Sequence, residues 1–296
     1  MAKDKAKRLS KKIIALIVCG AILGAILLSC LAVQIGHWVS DGIQSWRPDY
    51  EQIEIMPILN KAELTEEDYG ILYKQTGLTK VGIDRALAKG KEGKQRILKI
   101  QQDFFGEYVI ANETFAPWFC TDYIEGHKHI STVYLENSDI FVTSSTHFSS
   151  CRIGHAGLVT DAKYGNVLQA NSYSQPSKIG KTSDFTDRVN FMILRVKEEY
   201  ADKKLREEIA EYAKHNLIGI PYNGACGVLT DKNSLEATQC AHIVWYAFKQ
   251  YGIDIDANAG KVVSPWNIAN SDKLELVQTF GFDITDKEGL WPKLNY

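Results

Sequence analysis

"GHAGLVTDAKYGNVLQAN", Gly154–Asn171, is the stretch that decides the fold. Two short β-rich runs flank a polar break at Lys163-Tyr164-Gly165, which reads as strand, turn, strand. His155 opens the first run between Gly154 and Ala156, and such small neighbours leave room for another backbone or a substrate. Outward from this pair, "DIFVTSS" (Asp139–Ser145) and "RVNFMILRV" (Arg188–Val196) are further β-rich runs, together predicting a small antiparallel sheet. "EEYADKKLREEIAEYAKHNL" (Glu198–Leu217) then switches to a helical period, with Leu205, Ile209, Tyr212 and Ala213 on one face. A sheet packed on helices makes the fold class α+β.

Further on, "TQCAHIVWYAFKQYGI" (Thr238–Ile253) places Cys240 just ahead of an apolar helical stripe formed by Ile243, Val244, Ala247, Phe248 and Tyr251. A free cysteine is ordinarily a small buried hydrophobe. At a helix N-terminus, however, the dipole and the unpaired amides favour thiolate, and such a thiol becomes a nucleophile when a base is near. Seven histidines are candidates for that base. His37 lies beside the apolar N-terminal run, His127 and His129 in a polar turn, His147 before a Ser-rich loop, and His215 on a charged helix. His242, two residues from Cys240, points to another helical face. His155 remains. A lone strand histidine is most often structural, so the functional reading rests on the pair.

The chain has 296 residues, 45% of them hydrophobic and 24% charged, enough for a substantial core. Residues 1–12 carry six Lys/Arg against one Asp, a net +5 within a total of -2. No basic stripe suited to nucleic acid occurs elsewhere. Ile13–Ile35 is an uncharged apolar run that as a helix spans about 35 Å, against a hydrocarbon core of about 30 Å. It exceeds the apolar region of a secretory signal, and its basic flank predicts a single-pass anchor with a cytoplasmic N-terminus and an extracellular domain. "LLSC" (Leu27–Cys30) is a loose lipoprotein box, and Gly20 and Gly24 form a weak helix-packing pair. Between about Glu51 and Phe105 the pattern is helical, with Thr65 ahead of Glu66, Glu67 and Asp68 as a helix start.

"GHAGLVTDAKYGNVLQAN", then "GIPYN" (Gly219–Asn223) and "QCAHIVWYAFKQYGIDI", resemble the permuted papain-like amidases of the YiiX/YaeF type, within the NlpC-like superfamily. "VVSPWNIANSDKLELV" and "DYGILYKQTGL…IQQDFF" are similar to the family's end and to the helical preface of its longer members. In that family a Gly-His strand precedes the cysteine helix, the order of His155 and Cys240. The resemblance implies a circularly permuted papain-like domain, an antiparallel sheet packed on helices, at 131–285. Ahead of it come a basic tail at 1–12, an anchor at 13–35, a linker at 36–59 and a helical preface at 60–130, and a tail at 286–296 follows.

The roles implied are Cys240 as nucleophile, kept ionised by imidazolium and helix dipole, His155 as general base, and the Cys240 amide as an oxyanion donor. Many relatives place an acidic residue where this chain has Gln169. A neutral amide also orients imidazole in papain-type enzymes, so Gln169 is the expected third member, with Asn171 as the alternative. A tight turn at Tyr164-Gly165 would pair Gln169 with Thr160 on the face away from His155, so the reading requires a longer, bulged connection. Tyr222 and Asn223 are expected to flank the substrate cleft, or else to form a plain turn. Cys120 and Cys151 could form a disulfide outside the cytoplasm, whereas a Cys226–Cys240 bridge would abolish the nucleophile. No cofactor is implied, and His127-x-His129 lacks the further ligands of a metal site.

Function is therefore expected to be hydrolysis of an amide or ester through a Cys-His acyl-enzyme, on a peptide, cell-wall or lipid-linked acyl substrate. The alternatives are a lipid-related acyltransferase, and a non-enzymatic surface protein on a degenerate papain-like scaffold.

Overall fold

The computed structural model describes residues 11–40, 45–116, 119–148, 151–172 and 175–284. Most of the basic tail and the whole C-terminal tail lie outside the described residues. The first helix, α1 (Lys11–Ser40), runs five residues beyond the expected anchor into the linker. Its apolar stretch Ile13–Ala32 is buried by nothing else in the fold and is long enough to cross a membrane.

Four helices follow: α2 (Met56–Leu59), α3 (Glu66–Thr76), α4 (Lys80–Leu87) and α5 (Gly90–Phe104). Thr65 starts α3 as its acidic first turn predicts. Its hydroxyl accepts the Asp68 N–H at 3.2 Å while the Asp68 carboxylate accepts the Thr65 N–H at 3.0 Å. The helical preface expected to reach residue 130 ends at Phe104. Beyond it, β1 (Ile110–Ala116) and β2 (Phe119–Ile124) form an antiparallel hairpin. Strand β2 has a partner from the later chain, β4 (Thr146–Phe148), which pairs in turn with β5 (Cys151–Arg152). These pairings make a four-stranded sheet, β1-β2-β4-β5, in which ladder partners distant in sequence override local pattern.

The larger sheet is entirely antiparallel. Its strands are β3 (Ile140–Thr143), β6 (His155–Asp161), β7 (Asn166–Gln169), β8 (Lys178–Lys181), β9 (Phe191–Val196) and β10 (Leu274–Phe280). They lie in the order β10-β9-β3-β6-β7-β8. Alternation along the strands builds two cores. Ile140, Val142, Ala156, Leu158 and Leu194 face α7 (Lys203–Asn216), α8 (Cys240–Lys249) and α9 (Pro265–Ala269). Phe141, Val159, Val167, Phe191 and Ile193 face the preface helices. The fold is α+β, an antiparallel sheet between two helical layers, and both candidate residues open an element: His155 begins β6 and Cys240 begins α8.

Candidate active site

The chain enters β6 through Gly154, whose φ of +72° is a left-handed conformation that glycine adopts without strain. In the β6–β7 ladder Leu158 opposes Leu168 and Val159 opposes Val167, but Asp161 opposes Asn166. Thr160 is thus extruded as a bulge, and the turn runs from Ala162 to Gly165. Together these features bring Gln169 opposite Gly157, on the face of His155, as the longer connection requires. The Nε2 of His155 lies 3.0 Å from the Gln169 Oε1.

A carboxylate stands one step further out. The Gln169 Nε2 donates to the Asp184 Oδ2 at 2.5 Å, and the Lys181 N–H donates to the same oxygen at 3.1 Å. Asp184 belongs to α6 (Ser183–Thr186). Its carboxylate only accepts, so it fixes the amide with Oε1 toward the imidazole. That oxygen also only accepts, so the His155 Nε2 carries the proton and Nδ1 is left as the unprotonated nitrogen. Gly180 makes this possible, because a Cβ there would lie 1.9 Å from the Gln169 Nε2 and 2.4 Å from the Asp184 Oδ2. Gly157 leaves space for Phe185, whose ring stacks on the imidazole at 5.2 Å and 9°. Asn171 also lies beside the imidazole.

Cys240 sits at the start of α8, 7% exposed. Its thiol donates to the Gln239 Oε1 at 3.4 Å. The same oxygen caps the helix by accepting the Ala241 N–H at 2.8 Å. The amides of Ala156, Ala241 and Cys240 itself close on the sulfur. The thiol therefore lies against the residue that follows His155. Among the described residues no hydrogen bond joins the sulfur to the imidazole, which the strand alternation turns toward Phe185. Tyr222 and Asn223 run beside the entry to α8: the Thr238 N–H donates to the Pro221 O at 2.8 Å, and the Asn223 N–H to the Thr238 O at 2.7 Å.

The expected thiolate–imidazolium pair is not the resting form. Burial pushes the Cys240 thiol up, against the opposing pull of the surrounding amides. Burial, helped by the nearby Arg188 guanidinium, pushes His155 down to about 3, against the opposing pull of Gln169 and Asn171. At neutral pH the pair rests as thiol and imidazole, because the dry site penalises both charges more than the helix dipole favours one. Arg188 itself is 6% exposed. Its Nε donates to the Asp184 backbone O at 2.7 Å, and one terminal nitrogen donates to the Thr146 and Ser145 hydroxyls at 2.8 and 3.3 Å.

The chain matches no protein-family model, no curated protein and no solved structure.

The other histidines have structural partners. His242 is buried between the Thr238 hydroxyl and the Lys232 O, both at 2.8 Å. His147 meets the Asp122 carboxylate at 3.1 Å, and His127 bridges Asp187 and Glu113 at 2.8 and 2.9 Å. None of the described cysteines is in a disulfide. Cys120 and Cys151 lie on β2 and β5 with β4 between them, about 9–10 Å apart by strand spacing and beyond disulfide reach. Cys226 donates to the Ala237 O at 3.3 Å and leaves Cys240 unbridged. No group of three or more His, Cys, Asp or Glu among the described residues is arranged to hold a metal. Asp184, Phe185 and Arg188 escaped sequence reasoning. Their only mark was a charge at the head of the apolar run "RVNFMILRV".

Proposed function

We propose that this protein is a membrane-anchored cysteine hydrolase of the permuted papain-like type, cleaving an amide or ester bond through an acyl-enzyme on Cys240. The observation that carries the reading is the His155–Gln169–Asp184 relay, which leaves the Nδ1 of His155 as the unprotonated nitrogen at the sheet end where the Cys240 thiol lies against Ala156. Attack requires the Cys240 side chain to leave Gln239 and reach the imidazole at the head of β6. The thiol proton passes to Nδ1 as sulfur attacks the carbonyl carbon. The Ala156 or Cys240 amide receives the oxyanion. The C–N or C–O bond then breaks, and the imidazolium returns its proton to the leaving amine or alcohol. Water, deprotonated by the same nitrogen, releases the acid and restores the thiol.

The +5 flank before the apolar helix supports an N-terminus in the cytoplasm and a catalytic domain outside. Peptide, cell-wall or lipid-linked acyl groups are the substrates within reach. The dryness of the Cys240 and His155 surroundings favours a second reading, transfer of the acyl group to an alcohol or amine in place of water. Incubation of the full-length protein with panels of amide, peptide and acyl-ester substrates, followed by mass spectrometry, tests both. An acyl adduct on Cys240 that is absent in His155→Ala is expected, and its partition between water and an added acceptor separates hydrolase from transferase. Absence of an adduct across the panel leaves the non-enzymatic scaffold as the better reading.

A further inference from the structure

Among the described residues, buried arginine side chains come with carboxylates, except one. Arg85 meets Asp139 at 2.7 Å, Arg152 meets Asp122 at 2.6 Å, Arg195 meets Glu136 at 2.5 Å, and Arg206 meets Glu198 at 2.8 Å. Arg188 is equally buried, yet no carboxylate among the described residues lies within 4.0 Å of it, and its three hydrogen bonds go to neutral oxygens. A guanidinium cannot shed its charge, and an uncompensated buried charge is costly. The cation also stands beside the ring that packs on the imidazole. It lies 5.6 Å from the centre of the Phe185 ring, the ring that stacks on His155.

We infer that Arg188 is the seat for a carboxylate carried by the substrate beside its scissile bond. This inference rests on the hydrolase reading and names its substrate class: acyl compounds with an anionic group close to the amide or ester. The planar fork of guanidinium matches a carboxylate, and a charge-assisted bond in a dry site is strong. The arrangement also explains why a cation stands beside a base. In the free protein Arg188 opposes the imidazolium that His155 must become, and a bound carboxylate cancels that opposition. The correct substrate thereby completes the base, and uncharged analogues meet a weaker one.

The test compares two alkylating reagents of the same shape, iodoacetate and iodoacetamide, on Cys240 of the full-length protein in detergent at pH 8. Both consume the same thiolate, so the ratio of their rates cancels any change in thiol ionisation. The exposed Cys151 supplies the reference ratio within the same chain. The expected ratio at Cys240 is at least about tenfold that at Cys151. It falls to the Cys151 value in Arg188→Gln and lies between the two in Arg188→Lys. A wild-type ratio no higher than that of Cys151 overturns the inference, and that measurement needs no variant to fold. An unchanged ratio in folded Arg188→Gln, with both rates lowered alike, also overturns it, since Arg188 would then act on the thiol alone. Failure to trap an acyl-enzyme would count against the hydrolase reading, while the reagent ratio decides on Arg188 separately.

Discussion

His147 and His155 are both buried, eight residues apart, and their surroundings are built on opposite plans. His147 belongs to the four-stranded sheet and faces Asp122, which also accepts from Arg152 at 2.6 Å and Asn112 at 2.8 Å. Charge there is answered by charge at close range. His155 faces a neutral amide, its carboxylate is one residue removed, and the nearby Arg188 meets no carboxylate within 4.0 Å among the described residues. The first cluster holds the fold together, since removing one member of a buried ion pair strands the rest. The second is left short of negative charge in the part of the protein where acyl transfer would create it. Within one chain, the contrast tells the two histidines apart better than burial does.

The largest expected effect breaks the comparison if it fails. His155→Ala should lower kcat/KM about a thousandfold toward any substrate that acylates Cys240, with little change in urea unfolding. Asp122→Ala should do the reverse, costing about 3–5 kcal/mol in unfolding free energy while turnover per folded molecule stays within about threefold. Turnover lost in Asp122→Ala at unchanged stability would mean that the two clusters have been assigned the wrong way round.

Acid sharpens the contrast. The folded His155 resists protonation down to about 3, whereas an unfolded histidine takes up its proton near 6.5. Below pH 6.5 the unfolded chain therefore binds the extra proton, and stability falls as pH drops toward 3. Between pH 7 and pH 4.5 this one group should contribute about 2–3 kcal/mol of the loss, seen as a shallower pH slope in His155→Asn. His242, also pushed down by burial, stays in both proteins and cancels. Identical slopes would show that His155 takes up its proton in the fold as readily as in the unfolded chain.

The smallest effect lies in the relay. Asp184→Ala releases the Gln169 amide to turn over, and kcat should fall about tenfold. Gly180→Ala should do much the same by driving a methyl into the Gln169 nitrogen, with KM changing less than kcat. Full activity in both would place the orientation of the imidazole with Asn171 or the Phe185 stack.

Much of this was legible because it is local. The acidic turn after Thr65 marked the start of α3, the apolar stripe after Cys240 marked α8, and the small residues around His155 marked the head of β6. Gln169 was legible only conditionally: its face depends on parity, and parity was set by a bulge at Thr160 that no turn signal announces. Strands β1, β8 and β10 were not legible, since "KIGK" and its like become strands through partners distant in sequence. Asp184, Phe185 and Arg188 reach the imidazole only when the sheet and its connections close. The ionisation of the pair was misjudged for a related reason. Helix position can be read from a sequence, but the dryness of a site cannot.

One contact near the N-terminus bears on how the protein meets its surroundings. Immediately after the apolar helix the chain is clamped to the domain: the Ser45 hydroxyl donates to the Val189 O at 2.5 Å, and the Trp46 N–H to the Gly281 O at 3.2 Å. From Ser40 to Ser45 the chain can reach at most about 19 Å, while a domain of this size is roughly 45 Å across. With the helix in a bilayer, the leash is shorter than the body it holds, so the domain cannot tumble freely. So held, it would patrol a layer a few nanometres deep, where the lipid surface rather than the bulk fluid would set which molecules it encounters.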